Sequence, residues 1–333
     1  MVTAVSYHET VTKLQGLAND ARGPFDRPEW FALLAAHGER PMIVVGDDAR
    51  RQVALPLTKT ANGLESLTNW FAFTWRPFMR HDEMADDVLA DVARDLRSGS
   101  HRLTLSPLPD EDGSASRLEA ALKAGGWLVF REQCDENHVL PVDGRSFEEY
   151  WSYRPGRMRT TLKRKAKKVA CEIFTRFDED AWAAYQAIYS ESWKPDEERA
   201  DLLEAFAREE GAAGRLRLGI ARTAGESGGL PVAAQFWTVE DGTAYIHKLA
   251  HLEEHKALSA GTTLSAALFE HVIDTDGVEL VDFGTGSDAY KRDWMERNRP
   301  RFRLSAYDWR SRKAWKPMAR AFARRLATAL GRG

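Results

Sequence analysis

The sequence predicts an α+β protein of two successive units, on three observations. Helical and β-branched segments are interspersed through the first 145 residues. Three strand candidates then follow one another between Leu216 and Ala250, and a turn-rich PVDGR stretch, Pro141 to Arg145, separates regions of different character. At 333 residues the chain has room for two domains of ordinary size. Hydrophobic residues at 43%, charged residues at 29% and aromatics at 10% place it among globular chains and exclude disordered or fibrous ones.

In order along the chain, Asp26 and Pro28 open a short helix to Ala36, and Pro41 to Val45 is a β-branched strand. Arg51 to Thr58 alternates toward a second strand, and Val88, Leu89, Val92 and Leu96 give Asp86 to Leu96 a helical spacing. His101 to Leu105 reads as a strand, Ser116 to Ala124 as a helix and Trp127 to Phe130 as a strand. The second half begins with a basic helix at 154–168. A helix capped by Asp178 or Asp180 comes next, with Trp182, Tyr185, Tyr189 and Trp193 on one face. Leu216 to Ala221, Pro231 to Val239 and Thr243 to Ala250 are strands, the last two joined by an Asp241-Gly242 hairpin turn. A loop from His251 to Gly261 leads into a helix from Thr262 to about Asp274; Val278 to Phe283 and Arg301 to Trp309 are the last strands.

No run approaches the roughly 18 to 20 apolar residues of a membrane span, and Met1 to Thr10 lacks the pattern of a secretory leader. Cys134 and Cys171 stand far apart without metal or nucleophile spacing, so the expected compartment is a reducing cytosol. The formal net charge of -3 argues against a general nucleic-acid binder. The basic residues are nevertheless clustered: eight lie between Arg154 and Lys168 and eight after Asp308, with no acid in either stretch. Without these sixteen, the rest carries 31 basic and 50 acidic residues, so attraction for anions is confined to two segments.

Five constellations carry chemistry. Ser259, Ala260, Gly261, Thr262 and Thr263 open a helix whose unpaired N–H groups suit a pyrophosphate; the plain alternative is that Gly261 turns the chain and Thr262 caps. Asp282 to Lys291 (DFGTGSDAYK) places a hydroxyl, carboxylates and an ammonium past a strand end, with Gly284 and Gly286 permitting close backbone approach, or forms a capped turn. His251-x-x-Glu254-His255 matches a zinc spacing but lies in a polar loop after a strand rather than on a core helix, so no metal is expected. The basic helix either grips phosphates of a cofactor, a lipid-linked sugar or tRNA, or is a solvated face over Met158, Leu162, Ala166 and Val169. The C-terminal segment sets Met318, Phe322, Leu326 and Leu330 against arginines, which suits either an anionic membrane surface or docking on the domain.

From residue 145 onward the order of pieces resembles the BioF2-like (CelD-type) acetyltransferases of the GNAT superfamily, relatives of the FemAB aminoacyl transferases. The pieces are RMRTTLKRKAKK (Arg157 to Lys168), the Trp193 region, PVAAQFW, TAYIHKLA with LSAGTTL, and DFGTGSDAYKRDW; PFDRPEW and Asn69-Trp70-Phe71 extend the likeness more vaguely to the first half. The resemblance implies tandem GNAT-like domains, each a mixed, mostly antiparallel sheet flanked by helices. Their expected limits are residues 1–145 and 146–310, followed by a basic amphipathic helix at 311–333. It also implies that the second domain carries the active cleft, with acetyl-CoA or another acyl-CoA between splayed parallel strands, Thr243 to Ala250 and Val278 to Phe283, and its pyrophosphate at 259–263. Only Gly261 of the superfamily's usual Q/R-x-x-G-x-G/A loop is present, and some FemAB relatives use aminoacyl-tRNA instead.

The expected activity is acyl transfer to an amine or hydroxyl of a small molecule or glycan precursor, in polysaccharide or cell-envelope synthesis. The expected roles are Tyr290 as proton donor to the thiolate, Asp288 or His247 as base, and Lys248 or Lys291 holding an anionic group. The alternatives are a transferase using aminoacyl-tRNA, with the basic helix on the RNA, and a non-catalytic adaptor at a membrane surface. The expected location is cytoplasmic, with peripheral contact to the inner face of the membrane through 311–333.

Overall fold

The computed structural model describes residues 3–330 except 22, 193, 195–196, 226–228 and 287, so Trp193 and Ser287 lie outside the described residues. It contains two compact units, Met1–Glu136 with Arg299–Gly333, and Asn137–Asn298. No helix among the described residues is long and apolar enough to cross a membrane.

The first unit contains β1 (Ala4–His8), α1 (Pro28–Ala36), β2 (Pro41–Asp47), β3 (Gln52–Thr60), β4 (Gly63–Ser66), α2 (Glu83–Gly99), β5 (Arg102–Leu108), α3 (Ser114–Ala124) and the first part of β6 (Leu128–Pro141). The helix expected from Asp86 begins earlier because the Asp82 carboxylate accepts the Ala85 N–H, and Ala85, Val88, Leu89, Val92, Ala93 and Leu96 form its buried stripe. β1 to β4 pair antiparallel in sequence order, and β4 pairs with β5 in parallel at Leu64–Leu103 and Glu65–Thr104. Past the end of β4 the chain crosses its own gap. Trp75 donates its backbone N–H to Pro107 and its indole N–H to Pro56, and Phe78 pairs with Ala54, both side chains buried.

The second unit begins within β6 and continues with α4 (Phe147–Ser152), α5 (Gly156–Lys165), β7 (Val169–Phe174), α6 (Glu179–Ser190), α7 (Ala200–Ala212), β8 (Leu216–Thr223), β9 (Pro231–Glu240), β10 (Thr243–His251), α8 (Ala260–Glu270), β11 (Leu280–Thr285) and α9 (Lys291–Trp294). Its strands follow the order β6-β11-β10-β9-β8-β7, antiparallel except for β10 with β11. Asp241 and Gly242, at φ 45° and 71°, turn the β9–β10 hairpin as expected. Alternation on β9 divides the layers. Gln235 and Trp237 face α8, whereas Phe236 faces α6 and α7 through Trp182 and Phe206, each ring 5.8 Å away.

The chain re-enters the first unit along β12 (Arg297–Tyr307) and ends in α10 (Arg312–Leu330). The sequence places the boundaries at 145 and 310, but β6 runs unbroken to Pro141, and β12 pairs with β5 from Phe302–Leu108 to Tyr307–Arg102. Residues from 299 therefore belong with the first unit, and the PVDGR stretch is a tight turn, with Asp143 and Gly144 at positive φ, after the crossing.

Gly219 on β8 lets α8 lie close to the sheet: a Cβ there would stand 2.9 Å from Leu268 Cδ1 and 3.0 Å from Leu264 Cδ1. We expect Gly219→Val to lose about 1–3 kcal/mol in denaturant unfolding. Adding Leu268→Ala should cost less there than in the wild type, and strict additivity would show that the contact does not limit the packing.

Candidate active site

β10 and β11 pair only at Thr243–Leu280, Ala244–Val281 and Tyr245–Asp282, and then part. Each strand is distorted where they separate. β10 bulges against β9 between Ile246 and Lys248, and β11 shifts register against β6 between Asp282 and Thr285. The Asp282 carboxylate fixes the second distortion by accepting the Gly284 N–H at 2.8 Å and the Asn137 amide at 3.0 Å, with Gly284 at φ 65°. The gap opens on a cavity of about 430 Å³. Leu249, Ala250 and His251 line it from β10, Phe283 from β11, Gln235 from β9, Met158 from α5, residues 259–262 and Ser265 from the start of α8, and Tyr290, Asp293 and Trp294 from the far side.

The start of α8 is held open to this cavity. Ser259, at φ 54°, makes no side-chain cap, so the N–H groups of Ala260, Gly261 and Thr262 have no intrahelical acceptor. Its hydroxyl instead accepts the Lys165 ammonium at 3.0 Å, bringing the basic α5 to the helix end, while the Thr263 N–H and hydroxyl both turn back to the Ser259 carbonyl. Gln235 pins this turn to the sheet: its amide donates to Ser265 Oγ at 2.7 Å and the Gly261 carbonyl at 3.2 Å, and its own carbonyl accepts the Trp237 indole N–H at 2.9 Å. Uncapped N–H groups, the positive helix end, the Lys165 ammonium and that of Lys256, which is paired with Glu253 at 3.2 Å, make this end of the cavity a fit for a phosphate or pyrophosphate. A Cβ on Gly261 would meet His251 Nδ1 at an ordinary 3.6 Å, so only a larger side chain would intrude. The opposite wall is braced by the Tyr150 hydroxyl, which donates to the Trp294 carbonyl at 2.8 Å, and by Arg154, which binds the same carbonyl and Glu296.

The structure divides the predicted catalytic residues. Tyr290 lines the cavity, 38% exposed, with its ring 5.6 Å from Phe283; burial and the neighbouring Asp288 push its hydroxyl above the usual phenol range. Asp288 is exposed on the same loop. Lys291 is buried beneath that loop, its ammonium on the Thr285 carbonyl and 5.3 Å from the Phe283 ring centroid. Gly284 and Gly286 lie outside the cavity lining: the first forms the bulge and the second, at φ 103°, arches over the Lys291 ammonium. Thr263, buried, is likewise outside the lining, whereas Ser259, Ala260, Gly261 and Thr262 are in it.

His247 and Lys248 face the other side of β10. His247 packs against Phe206 and Phe236 with Nε2 2.8 Å from Thr238 Oγ1. Lys248 pairs with Glu197 at 2.9 Å and lies 5.4 Å from the Tyr189 ring centroid; burial pushes its ammonium down to about 8. Lys194, lowered by burial, feels both Asp288 and Glu197, so a line of charges runs from the Tyr290 loop to Lys248. His251 and His255 of the zinc-like spacing each sit beside a glutamate, at 3.2 and 3.3 Å, and no cluster among the described residues is arranged to hold a metal. Sequence reasoning missed Gln235 and Glu197. A lone polar residue inside PVAAQFW was the available sign of the first, and nothing in the spacing marked the second.

Residues 156–292, which supply nearly all of this lining, match the model of the acetyltransferase (GNAT) domain family. The match falls within the second unit, the one that holds the parted strands and the cavity. No curated protein matches the chain in sequence. Among solved structures, FemX matches with a TM-score of 0.63 at 11% identity over 91% of this chain and 97% of its own. L-PGS from Bacillus licheniformis gives 0.56 at 12% identity over 94% and 99%. The C-terminal domain of a putative lysylphosphatidylglycerol synthetase from Agrobacterium fabrum gives 0.57 at 13% over 90% and 91%. At these identities the likeness is one of fold.

Between pH about 8 and the ordinary lysine value of 10.5, unfolded Lys248 keeps a proton that the folded chain has released, so this residue makes stability rise with pH across that window. Denaturant unfolding of the wild type and Lys248→Met should show the wild type gaining relative stability from pH 8 to 10.5; parallel profiles would mean that Lys248 is not desolvated.

Proposed function

We propose that the second unit transfers an acyl group from an acyl-CoA to an amine or hydroxyl, with an envelope-glycan or lipid precursor as the class of acceptor. The observation that carries this reading is the cavity between the parted β10 and β11, closed at one end by the uncapped start of α8. There the N–H groups of residues 260–262, with Lys165 and Lys256, hold the pyrophosphate, while the freed backbone edges of β10 and β11 offer hydrogen bonds to an extended arm. Bound acyl-CoA supplies an activated thioester. Tyr290, protonated throughout the neutral range, donates its proton to the leaving sulfur. Asp288 is the favoured base because it is exposed on the Tyr290 loop, whereas His247 is enclosed by aromatic rings. The similarity in fold to a putative lysylphosphatidylglycerol synthetase supports the envelope assignment of the acceptor.

A second reading takes an aminoacyl-tRNA as the donor, in keeping with the resemblance to FemAB proteins. One observation favours it: Arg159, Lys163, Arg164, Lys167 and Lys168 are exposed along α5 and just beyond it, beside the cavity, and no ion pair occupies them among the described residues. Loss of affinity with salt at a log-log slope of about -0.7 to -0.9 per phosphate contact would be its signature.

Thermal unfolding with CoA, acetyl-CoA, longer acyl-CoAs and tRNA separates the two. At roughly 100 times its dissociation constant, a ligand adds about 2.7 kcal/mol, a rise of several degrees. We expect the rise with CoA thioesters, and its loss in Gly261→Leu with the unliganded melting point unchanged; a rise with tRNA alone would overturn the acyl-CoA reading. With a competent acceptor, Tyr290→Phe should lower kcat by about 10² or more while thioester binding persists, and undiminished turnover would remove Tyr290 from the mechanism.

A further inference from the structure

The arrangement of α10 on the first unit departs from that of a helix built only to dock. Its buried row is made of small or flexible residues: Ala314 and Ala321, with partly buried Met318, pack on Phe130 and Tyr307. The bulky residues lie largely outside this row, Phe322 meeting it only edge-on with its ring centroid 6.5 Å from that of Phe130. Trp315, Phe322 and Leu326 are 53%, 55% and 50% exposed, and at spacings of seven and four they form a second stripe beside the docked row, with Ala319 between them. Trp309, 54% exposed, extends the stripe beyond the helix start, where its carbonyl accepts the Trp315 indole N–H at 2.9 Å. A third row, Arg312, Lys316, Arg320 and Arg324, recurs every four residues along the other flank of the stripe and is exposed throughout. Lys313 and Arg325 add further cations, and no acidic residue occurs after Asp308.

A row of exposed tryptophan, phenylalanine and leucine bordered by lysines and arginines is the pattern of a helix lying in the headgroup boundary of a bilayer. There the rings enter the acyl edge and the long cations reach the phosphates. We infer that α10 is a docking surface for anionic phospholipid bilayers, with Trp309, Trp315, Phe322 and Leu326 as the inserting residues and the Arg312–Arg324 row as the phosphate contact. The charge asymmetry favours this occupant, since the acid-rich remainder of the chain repels an anionic surface while this segment attracts it. A helix held by its Ala314–Met318–Ala321 row presents the stripe already formed, so binding does not have to pay for helix folding. The membrane contact does not depend on the acyl-transfer reading.

The test is flotation of the full chain with vesicles of phosphatidylcholine alone and of phosphatidylcholine with phosphatidylglycerol, alongside two variants. Trp315→Ser/Phe322→Ser/Leu326→Ser removes the stripe, and Arg312→Gln/Lys316→Gln/Arg320→Gln the cation row. All six residues are exposed, and unchanged melting curves would confirm that both variants fold. Partitioning should require phosphatidylglycerol, fall at least tenfold in each variant, and weaken with salt in the wild type more than in the charge variant. No flotation of the wild type, or equal flotation of the stripe variant, would overturn the inference. So would a wild-type dimer that the stripe variant converts to monomer without the wild type binding vesicles, since a second copy would then cover the stripe.

Discussion

Everything that gives the second unit a site depends on the parting of β10 from β11 after three paired residues. A parallel pair that stays in register leaves no backbone donors or acceptors free and no space between the strands. Here each strand is turned out of register, β10 by its bulge at His247 and β11 by the Asp282–Gly284 contact. Asp282 is more important to the site for shaping backbone than for any proton it could carry. It is buried, and both contacts described for it lie within the strand pair it distorts.

The two units show the same parallel pair put to opposite uses. In the first, β4 and β5 pair over two residues and the chain beyond β4 fills the space, with Trp75 and Phe78 bonded to the neighbouring strands. In the second, the helix after β10 begins at the gap without closing it: the Gln235 amide holds the Gly261 carbonyl and Ser265, and the first N–H groups of the helix have neither an intrahelical acceptor nor a side-chain cap. The segment attached to the end of the pair's first strand makes the difference: a buried aromatic stretch in one unit, an uncapped helix in the other. Lys165 then joins this end to α5, so the basic cluster and the glycine-containing helix start, separate in sequence, are one electrostatic feature.

Much of this was legible in the sequence where a pattern has a local cause. α1 coincides with its expected span, Asp178 caps α6, the Asp241-Gly242 turn forms, and the strand–loop–helix unit from Thr243 lies where its spacing placed it. Hidden elements were those whose signal is non-local. β1, β4 and β7 are short, partly polar strands defined by their partners, and β6 exceeds the apolar Trp127 to Phe130 run because pairing on successive neighbours sustains it through polar residues. The unit boundary was misplaced for the same reason, since a turn is visible in sequence while the return of β12 to β5 is not. In the site, the residues around Gly261 could be read from helix-end chemistry. The facing of His247 and Lys248 away from the cavity could not, because it results from a bulge that shifts the alternation of β10.

Amide hydrogen exchange with and without acetyl-CoA tests the central claim most directly, because it reports on the backbone groups said to hold the donor. Slowed exchange at residues 260–262 and along the unpaired stretches of β10 and β11, with no comparable change in β4 and β5, is the predicted result. Binding of acetyl-CoA that leaves 260–262 unprotected, or protects the first unit instead, would contradict it.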